Sequence, residues 1–399
     1  MAEAPGRRRS LAGVRVLALE SSLSGPHCTK LLADLGAEVI KIEKPGVGDV
    51  VRGWDSAVKG LSSGYVFANT NKRSLAIDVK AQAGIAAVKT MAKRVDIFLE
   101  NFAPGVARRL GLGHEDLCAA NPRLIYCSIS GYGQDGPYRD VKAYDLPIQG
   151  EAGIIATTGY PDKPAKVGVS MTDLAASMYA AVGILGALYQ RERTGTGQVI
   201  DISMFESAVS WLGYFPHHYW HRGEEPERVG MRHHYVAPYG PFLAGDGKYV
   251  NLAVASAADW DLFCRRVIER PDLLEDSRFH SPELRRKNRA VLEELIEGIF
   301  LQHGHEEWFR RLAEARLPYG RVNGIGEVLA HPQVAARNFI REVDSPVGRI
   351  PIIGSPLRLS DSAERLDRLP ALGEDTEPLL HEIGCTDADV ARLRRDGVI

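Results

Sequence analysis

RVLALESSLSGPHCTKLLADLGAEVIKIE, residues 15–43, decides the fold. RVLAL (15–19) reads as a strand. Gly25-Pro26 opens a helix through HCTKLLADL that Gly36 closes, and AEVIKIE (37–43) is the next strand, with Pro near the helix start and Gly just past its end. The same pattern recurs in SLAIDV, a helix around AGIAAVKTMAKR, DIFLEN and RLIYCSIS, and again in an apolar helix from about Asp173 to Gln190, the turn RTGTG and the strand QVIDISM. Strands alternating with amphipathic segments predict an α/β fold with a parallel sheet covered by helices.

Residues 216–247 change character, being rich in His, Pro, Gly and aromatics, and read as a linker or active-site loop. KYVNLAVAS and the helices through Ala315 form a second, smaller unit. The Pro-rich tail beyond it is expected to return to the first. The expected division is a large domain in 1–215, a linker and small domain in 216–325, and a returning segment in 326–399. Only the first ten residues, MAEAPGRRRS, look loose.

With 399 residues, 45% of them hydrophobic and 25% charged, the chain has the profile of an ordinary globular protein. Lys and Arg total 49 against 51 acids, so the overall balance gives no reason to expect a nucleic-acid partner. The basic opening segment lacks the apolar core of a signal peptide, and no apolar run reaches the ~20 residues that span a bilayer. A cytoplasmic protein is expected. Cys28, Cys118, Cys127, Cys264 and Cys385 are scattered, odd in number and never spaced CxxC, which argues against a zinc site or a disulfide framework.

Several segments carry chemistry-bearing residues. GYGQDG (131–136) satisfies GxGxxG after a strand, but Pro137 and YRDVK follow where a dinucleotide site needs a helix N-terminus, so turn-forming glycines explain it better. His217, His218 and His221 sit at helical spacing without a matching carboxylate pattern, which points to solvated loop histidines rather than metal ligands. Arg232-His233-His234 could meet a substrate carboxylate through guanidinium and imidazolium. ENFAPGVARRLGLG (100–113) and NTNKRSLAIDVK (69–80) are basic segments on neighbouring βα connections, placed to converge on a phosphate-bearing ligand at the carboxyl edge of the sheet. In KVGVSMTDLAAS (166–177), Asp173 stands at the start of the long apolar helix. As an N-cap it would be ordinary. As a carboxylate kept ionised by the helix dipole, beside Gly168, Ser170 and Ala175, it would also be a competent nucleophile toward an activated acyl group.

Together, SGPHCTKLLADLGAEVIKIEKPGVGDVVRGW, NTNKRSLAIDVK, ENFAPGVARRLGLG, NPRLIYCSISGYGQDGPYR, KAYDLPIQGEAG, the Asp173 helix, RTGTGQVIDISMFES and LGEDTEPLL, in this order over nearly the whole chain, resemble the class III coenzyme A transferases. That group includes formyl-CoA:oxalate and carnitine CoA-transferases and the α-methylacyl-CoA racemases. The resemblance implies a Rossmann-like large domain with a smaller α+β domain, an interlocked homodimer, a CoA thioester as substrate, and no metal or permanently bound cofactor. It implies that Asp173 attacks the thioester and passes through an aspartyl-CoA intermediate. Lys44, Lys80, Asn101, Phe102, Arg109 and Lys142 would hold CoA, and Tyr144 would face the acyl group. In the racemase branch a histidine stands at the place of Tyr144; a tyrosine with a pKa of ~10 is a poor base at neutral pH, so the transferase branch is the closer match. A 2-methylacyl-CoA racemase and a non-catalytic CoA-binding protein are the alternatives.

Two departures bear on the substrate. Leu23 stands where formyl-CoA transferase has an active-site glutamine, and the glycine-rich loop over that enzyme's acyl site has no counterpart, residues 230–242 (GMRHHYVAPYGPF) lying in roughly that region. Oxyanion stabilisation is then expected from backbone N–H groups near Gly168 or in this loop. With Arg232 and His233 as substrate-binding residues, succinyl-CoA as donor and a C4 or C5 dicarboxylate such as itaconate, mesaconate or a malate-like acid as acceptor is the expected pairing.

Overall fold

The computed structural model describes residues 9–399. Residues 1–8 of the expected loose N-terminus lie outside the described residues. The apolar runs form six strands: β1 (Arg15–Leu19), β2 (Glu38–Glu43), β3 (Lys72–Ala76), β4 (Ile97–Glu100), β5 (Ile125–Ser130) and β6 (Val199–Ser203). All neighbours pair in parallel, in the order β3-β2-β1-β4-β5-β6, the doubly wound arrangement in which ligands bind outside the carboxyl ends of the strands.

Both faces of the sheet are covered, which is why β1 and β4 are apolar without alternation. On one face lie the helices α1 (Ser24–Asp34) and α3 (Met171–Thr194), whose Cys28, Leu32, Ala176, Ala180 and Ile184 pack with Val16, Leu99 and Ile129. Alanines along α3 let it approach closely. On the other face the helices Gln82–Ala92, Thr376–Glu382 and Asp387–Arg395 bring Val88, Met91, Leu379, Val390 and Leu393 against Leu17, Ile40 and Phe98. The short helix α2 (Asp145–Glu151) precedes α3 in the chain and contributes Ile148 to the first core.

The 24-residue α3 exceeds what the sequence reading allowed: by length and hydropathy it is the one helix among the described residues able to cross a membrane. Half of its apolar window is nevertheless buried within the protein, as in the core helix of a globular fold. The GYGQDG segment forms successive turns with Gly133 and Gly136 at positive φ and no helix behind them, so these glycines serve the chain reversal.

Contacts divide the chain into two units. The first comprises residues up to 154, Val167–Gly213 and Pro332–Ile399. The second comprises Ile155–Lys166 and Tyr214–His331. Its antiparallel sheet of Tyr239–Leu243, Tyr249–Ala253 and Tyr319–Arg321 packs on an aromatic core that includes Phe242, Trp260, Phe263, Phe279, Phe300 and Trp308. The segment 155–166, read from sequence as part of the large domain, clusters with this second unit. Its small hairpin is held there by Gly230 N–H on Gly159 O and by Arg228, which donates to Tyr160 O and Pro161 O.

Candidate active site

The basic residues singled out in the sequence follow the carboxyl ends of the strands. Lys44 comes directly after β2, Lys80 shortly after β3, Asn101 and Phe102 directly after β4, and Arg109 ends the short helix Val106–Arg109. Lys142 and Tyr144 lie between β5 and α2. Lys44, Lys80, Arg109 and Lys142 are exposed, and Tyr144 is 74% exposed.

Asp173 is not the cap of α3. Ser170 occupies that position without a side-chain hydrogen bond, and Asp173 is the third residue of the helix. The capping is done from outside by Asp145, the first residue of α2: its Oδ1 accepts from Thr172 N–H and Thr172 Oγ1, each at 3.0 Å. Asp145 Oδ2 accepts from Gln149 Nε2 at 2.8 Å, and Gln149 Oε1 accepts Val167 N–H at 2.8 Å, tying the segment that leads into α3 to α2. Asp145 thereby meets one of the unsatisfied donors that every helix start presents.

The Asp173 carboxyl therefore stands close to a second negative charge in a partly dehydrated place. Burial, reinforced by Asp145 and opposed by the nearby Ser24 backbone N–H, pushes its pKa up to about 7. The helix dipole expected to keep it ionised is outweighed, since taking a carboxylate from water costs more than one exposed helix end returns. At neutral pH the group is divided between acid and carboxylate. The ionised fraction is a poorly solvated nucleophile, higher in energy than a surface aspartate.

Ser24 opens α1 behind a tightly held turn. Ser22 adopts φ +63°, in the left-handed region that a non-glycine residue occupies only when its surroundings impose it. Asp49 Oδ1 accepts from Ser21 Oγ at 2.8 Å and Ser22 N–H at 3.0 Å. Beneath the turn lies a fully buried ionic lattice: Asp49 pairs with Lys41 at 2.7 Å, and Lys72 Nζ donates to Glu20, to Pro26 O and to Asn69. Asn101 accepts Ser21 N–H at 2.9 Å and donates to Ser21 O and Ser24 Oγ, so both of its amide protons are used within the protein. Phe102 packs against the second face's core and donates its N–H to Glu100.

One turn along α1, His27 shares a 2.7 Å hydrogen bond with Ser177, itself one turn along α3 from Asp173, and stacks on Phe67 with ring centroids 5.3 Å apart. Ser177 gives its single hydroxyl proton to Leu174 O, which assigns the proton of the shared bond to His27 Nδ1. Burial, with Lys30 and Lys72 nearby, pushes the His27 pKa down to about 4, so the ring is neutral.

In the second unit, Arg232 is committed to Glu293 at 3.1 Å and Glu297 at 2.8 Å, donates to Pro241 O, and lies over the Phe242 ring. His233 accepts the N–H groups of Tyr235 and Val236 on Nδ1 and stacks on Tyr239, with burial pushing its pKa below the usual histidine range. Both residues named for a substrate carboxylate therefore already have partners within the second unit, Arg232 two carboxylates and His233 two backbone N–H groups.

A segment-by-segment likeness this long admits a family comparison, and the family model "CoA-transferase family III" matches residues 11–376. The chain belongs to CoA-transferase family III. This CoA-transferase is 37% identical to a succinyl-CoA–D-citramalate CoA-transferase of Chloroflexus aurantiacus, over 98% of each chain. It is 34% identical to the human succinyl-CoA:glutarate CoA-transferase, over 98% of this chain and 90% of that one. Among solved structures, a CaiB/BaiF family protein from Brucella suis superposes with a TM-score of 0.83 at 34% identity, covering 95% of this chain and all of that one. The α/β architecture and the transferase class that the resemblance implied are those found.

Asp145, Gln149 and Ser24 carry the site's geometry, and sequence reasoning did not single them out. KAYDLPIQGEAG contained Asp145 and Gln149 at helical i,i+4 spacing, the only local signal. That Asp145 caps a different helix is visible only in three dimensions.

Proposed function

We propose that this CoA-transferase moves CoA from succinyl-CoA to a five-carbon dicarboxylic acid, with Asp173 as the nucleophile. The observation that carries the reading is the Asp173 carboxyl held between the first turns of α1 and α3, short of water and on the edge of ionisation. Support for the substrate class comes from relatives named for succinyl-CoA together with glutarate, D-citramalate or mesaconate. Each of those three acids has five carbons.

In this reading an Asp173 oxygen adds to the thioester carbonyl and the C–S bond breaks, giving a mixed anhydride and a CoA thiolate. The thiolate then attacks the aspartyl carbonyl, forming aspartyl-CoA and releasing the donor acid. The acceptor carboxylate attacks aspartyl-CoA in turn, and the freed thiolate takes the acceptor acyl group, regenerating Asp173. No proton or electron is consumed. Lys44, Lys80, Arg109 and Lys142, with Phe102, line the path proposed for CoA along the sheet's carboxyl edge, their charges suited to its phosphates. Tyr144 faces the acyl group.

The enzyme is further proposed to act as a homodimer in the cytoplasm. Met178, Val182, Leu185 and Tyr189 are exposed on α3 at coiled-coil-like spacing, an apolar stripe that a second copy would cover. All five cysteines are unpaired, in keeping with a reducing compartment.

The test is trapping during turnover. With succinyl-CoA and hydroxylamine, peptide mass spectrometry should find the hydroxamate on Asp173, and Asp173→Ala should abolish CoA exchange between two acids. Full exchange by the alanine variant sinks the nucleophile. Solvent deuterium washing into the α-position of a 2-methylacyl-CoA, with no acceptor acid present, would instead mark a racemase.

A further inference from the structure

We infer that Asn101 is a positioning residue for Asp173: wedged against Gly25, its amide holds the Ser21–Ser24 turn so that the Ser24 N–H reaches the Asp173 carboxylate. The inference rests on the reading of Asp173 as nucleophile and departs from the CoA contact that resemblance implied for Asn101.

Three observations meet at this amide. Its hydrogen bonds all go to the turn: Oδ1 takes Ser21 N–H, and Nδ2 donates to Ser21 O at 2.8 Å and Ser24 Oγ at 3.2 Å. Its packing requires the glycine, because a Cβ on Gly25 would lie 3.0 Å from Asn101 Cγ and 3.2 Å from its Oδ1, and equally close to Glu20 Cβ. The turn it grips is one that does not form unaided, since Ser22 sits in the left-handed region and Asp49 holds it from the other side. Ser24 then begins α1, which the 2.7 Å His27–Ser177 bond ties to α3 one turn beyond Asp173, and its backbone N–H is the α1 group that favours the ionised form of Asp173. Release of the amide would let the turn relax, withdraw that N–H, and leave burial and Asp145 acting unopposed.

A CoA contact and a positioning residue differ in what their loss does to kinetics. A side chain that touches CoA equally in ground and transition states changes KM and leaves kcat alone. A side chain that sets the Ser24 N–H changes the nucleophile. Asn101→Ala should therefore lower kcat by about tenfold, the size of one hydrogen bond to a charged group, and move the acidic limb of the kcat/KM profile to higher pH. Gly25→Ala, which pushes the same amide aside from the opposite direction, should reproduce both effects. Asn101→Asp, which keeps an acceptor for Ser21 N–H but loses both donors, replaces the alanine variant if that protein does not fold.

The assays use succinyl-CoA with glutarate, and Asp173→Ala is run alongside. A raised KM for succinyl-CoA with kcat and the acidic limb unchanged overturns the positioning role while Asp173→Ala remains inactive. Activity in Asp173→Ala overturns the nucleophile reading itself, whatever the Asn101 variants do.

Discussion

Replacing Asp173 by asparagine should make the protein more stable, increasingly so as pH rises. Asparagine keeps the shape and an acceptor for the Ser24 N–H, but it cannot ionise, so it removes the burial cost and the repulsion from Asp145. With a folded pKa of about 7 against an ordinary 3.8, the ionisable side chain costs the fold about 4 kcal/mol at pH 8 and about 2 kcal/mol at pH 5, as upper figures that solvent near the half-buried group reduces. The sign follows from proton counts: between these pH values the folded state holds a proton that the unfolded chain has lost, so stability falls as pH rises. His27 works in the opposite sense. Its pKa is lowered from 6.5 to about 4, so between those values the unfolded chain binds the extra proton and stability rises with pH. The wild type should therefore show little net dependence from these two groups over that interval, and the difference between variant and wild type isolates Asp173. The assay is thermal or urea denaturation of both proteins from pH 5 to 8, without CoA. An asparagine variant no more stable than wild type at pH 8, or an advantage that does not grow with pH, would refute the reasoning.

Other substitutions test neighbouring parts of the argument. Asp145→Asn keeps an acceptor for the Thr172 N–H while removing the charge beside Asp173, so the acidic limb of kcat/KM should move to lower pH, read from a pH–rate profile, while loss of the acceptor for Gln149 Nε2 should cost about 1–3 kcal/mol in denaturant unfolding. Lys72→Met leaves Glu20 buried without its 2.8 Å partner and should cost about 3–5 kcal/mol in denaturant unfolding. Val182→Asp places a charge in the apolar stripe of α3 and should give a monomer by light scattering; a monomeric wild type would remove the proposed dimer.

The backbone architecture was legible because its signals are local. RVLAL became β1 over the same residues, since an apolar run bounded by turn residues has few other places to go in a sheet covered on both sides. The last apolar segment of the N-terminal half was legible as a helix but not in its length, because its ends depend on Asp145 and a following turn rather than on its own composition. The basic residues were legible as a group at the sheet's edge, since βα connections put them there. The partners of Arg232 were not legible for a different reason: its type fits a carboxylate, and nothing local says that Glu293 and Glu297 already supply two.

The order of strands and helices along the chain, and Asp173 as the proposed nucleophile, could be reached from the chain alone, the latter through its motif context. What the chain alone left undecided was the state of that aspartate. A carboxyl at a helix start is ordinarily a stabilised anion, and only the fold brings Asp145 and the first turn of α1 to it while excluding water. Asn101 shows the same limit, a residue next to a ligand-binding edge by sequence whose amide is spent on a turn by structure. Covalent neighbours set which elements form, because helix and strand periodicities are local; proton affinities and hydrogen-bond partners are set by atoms brought together from distant segments, and those only the tertiary structure decides.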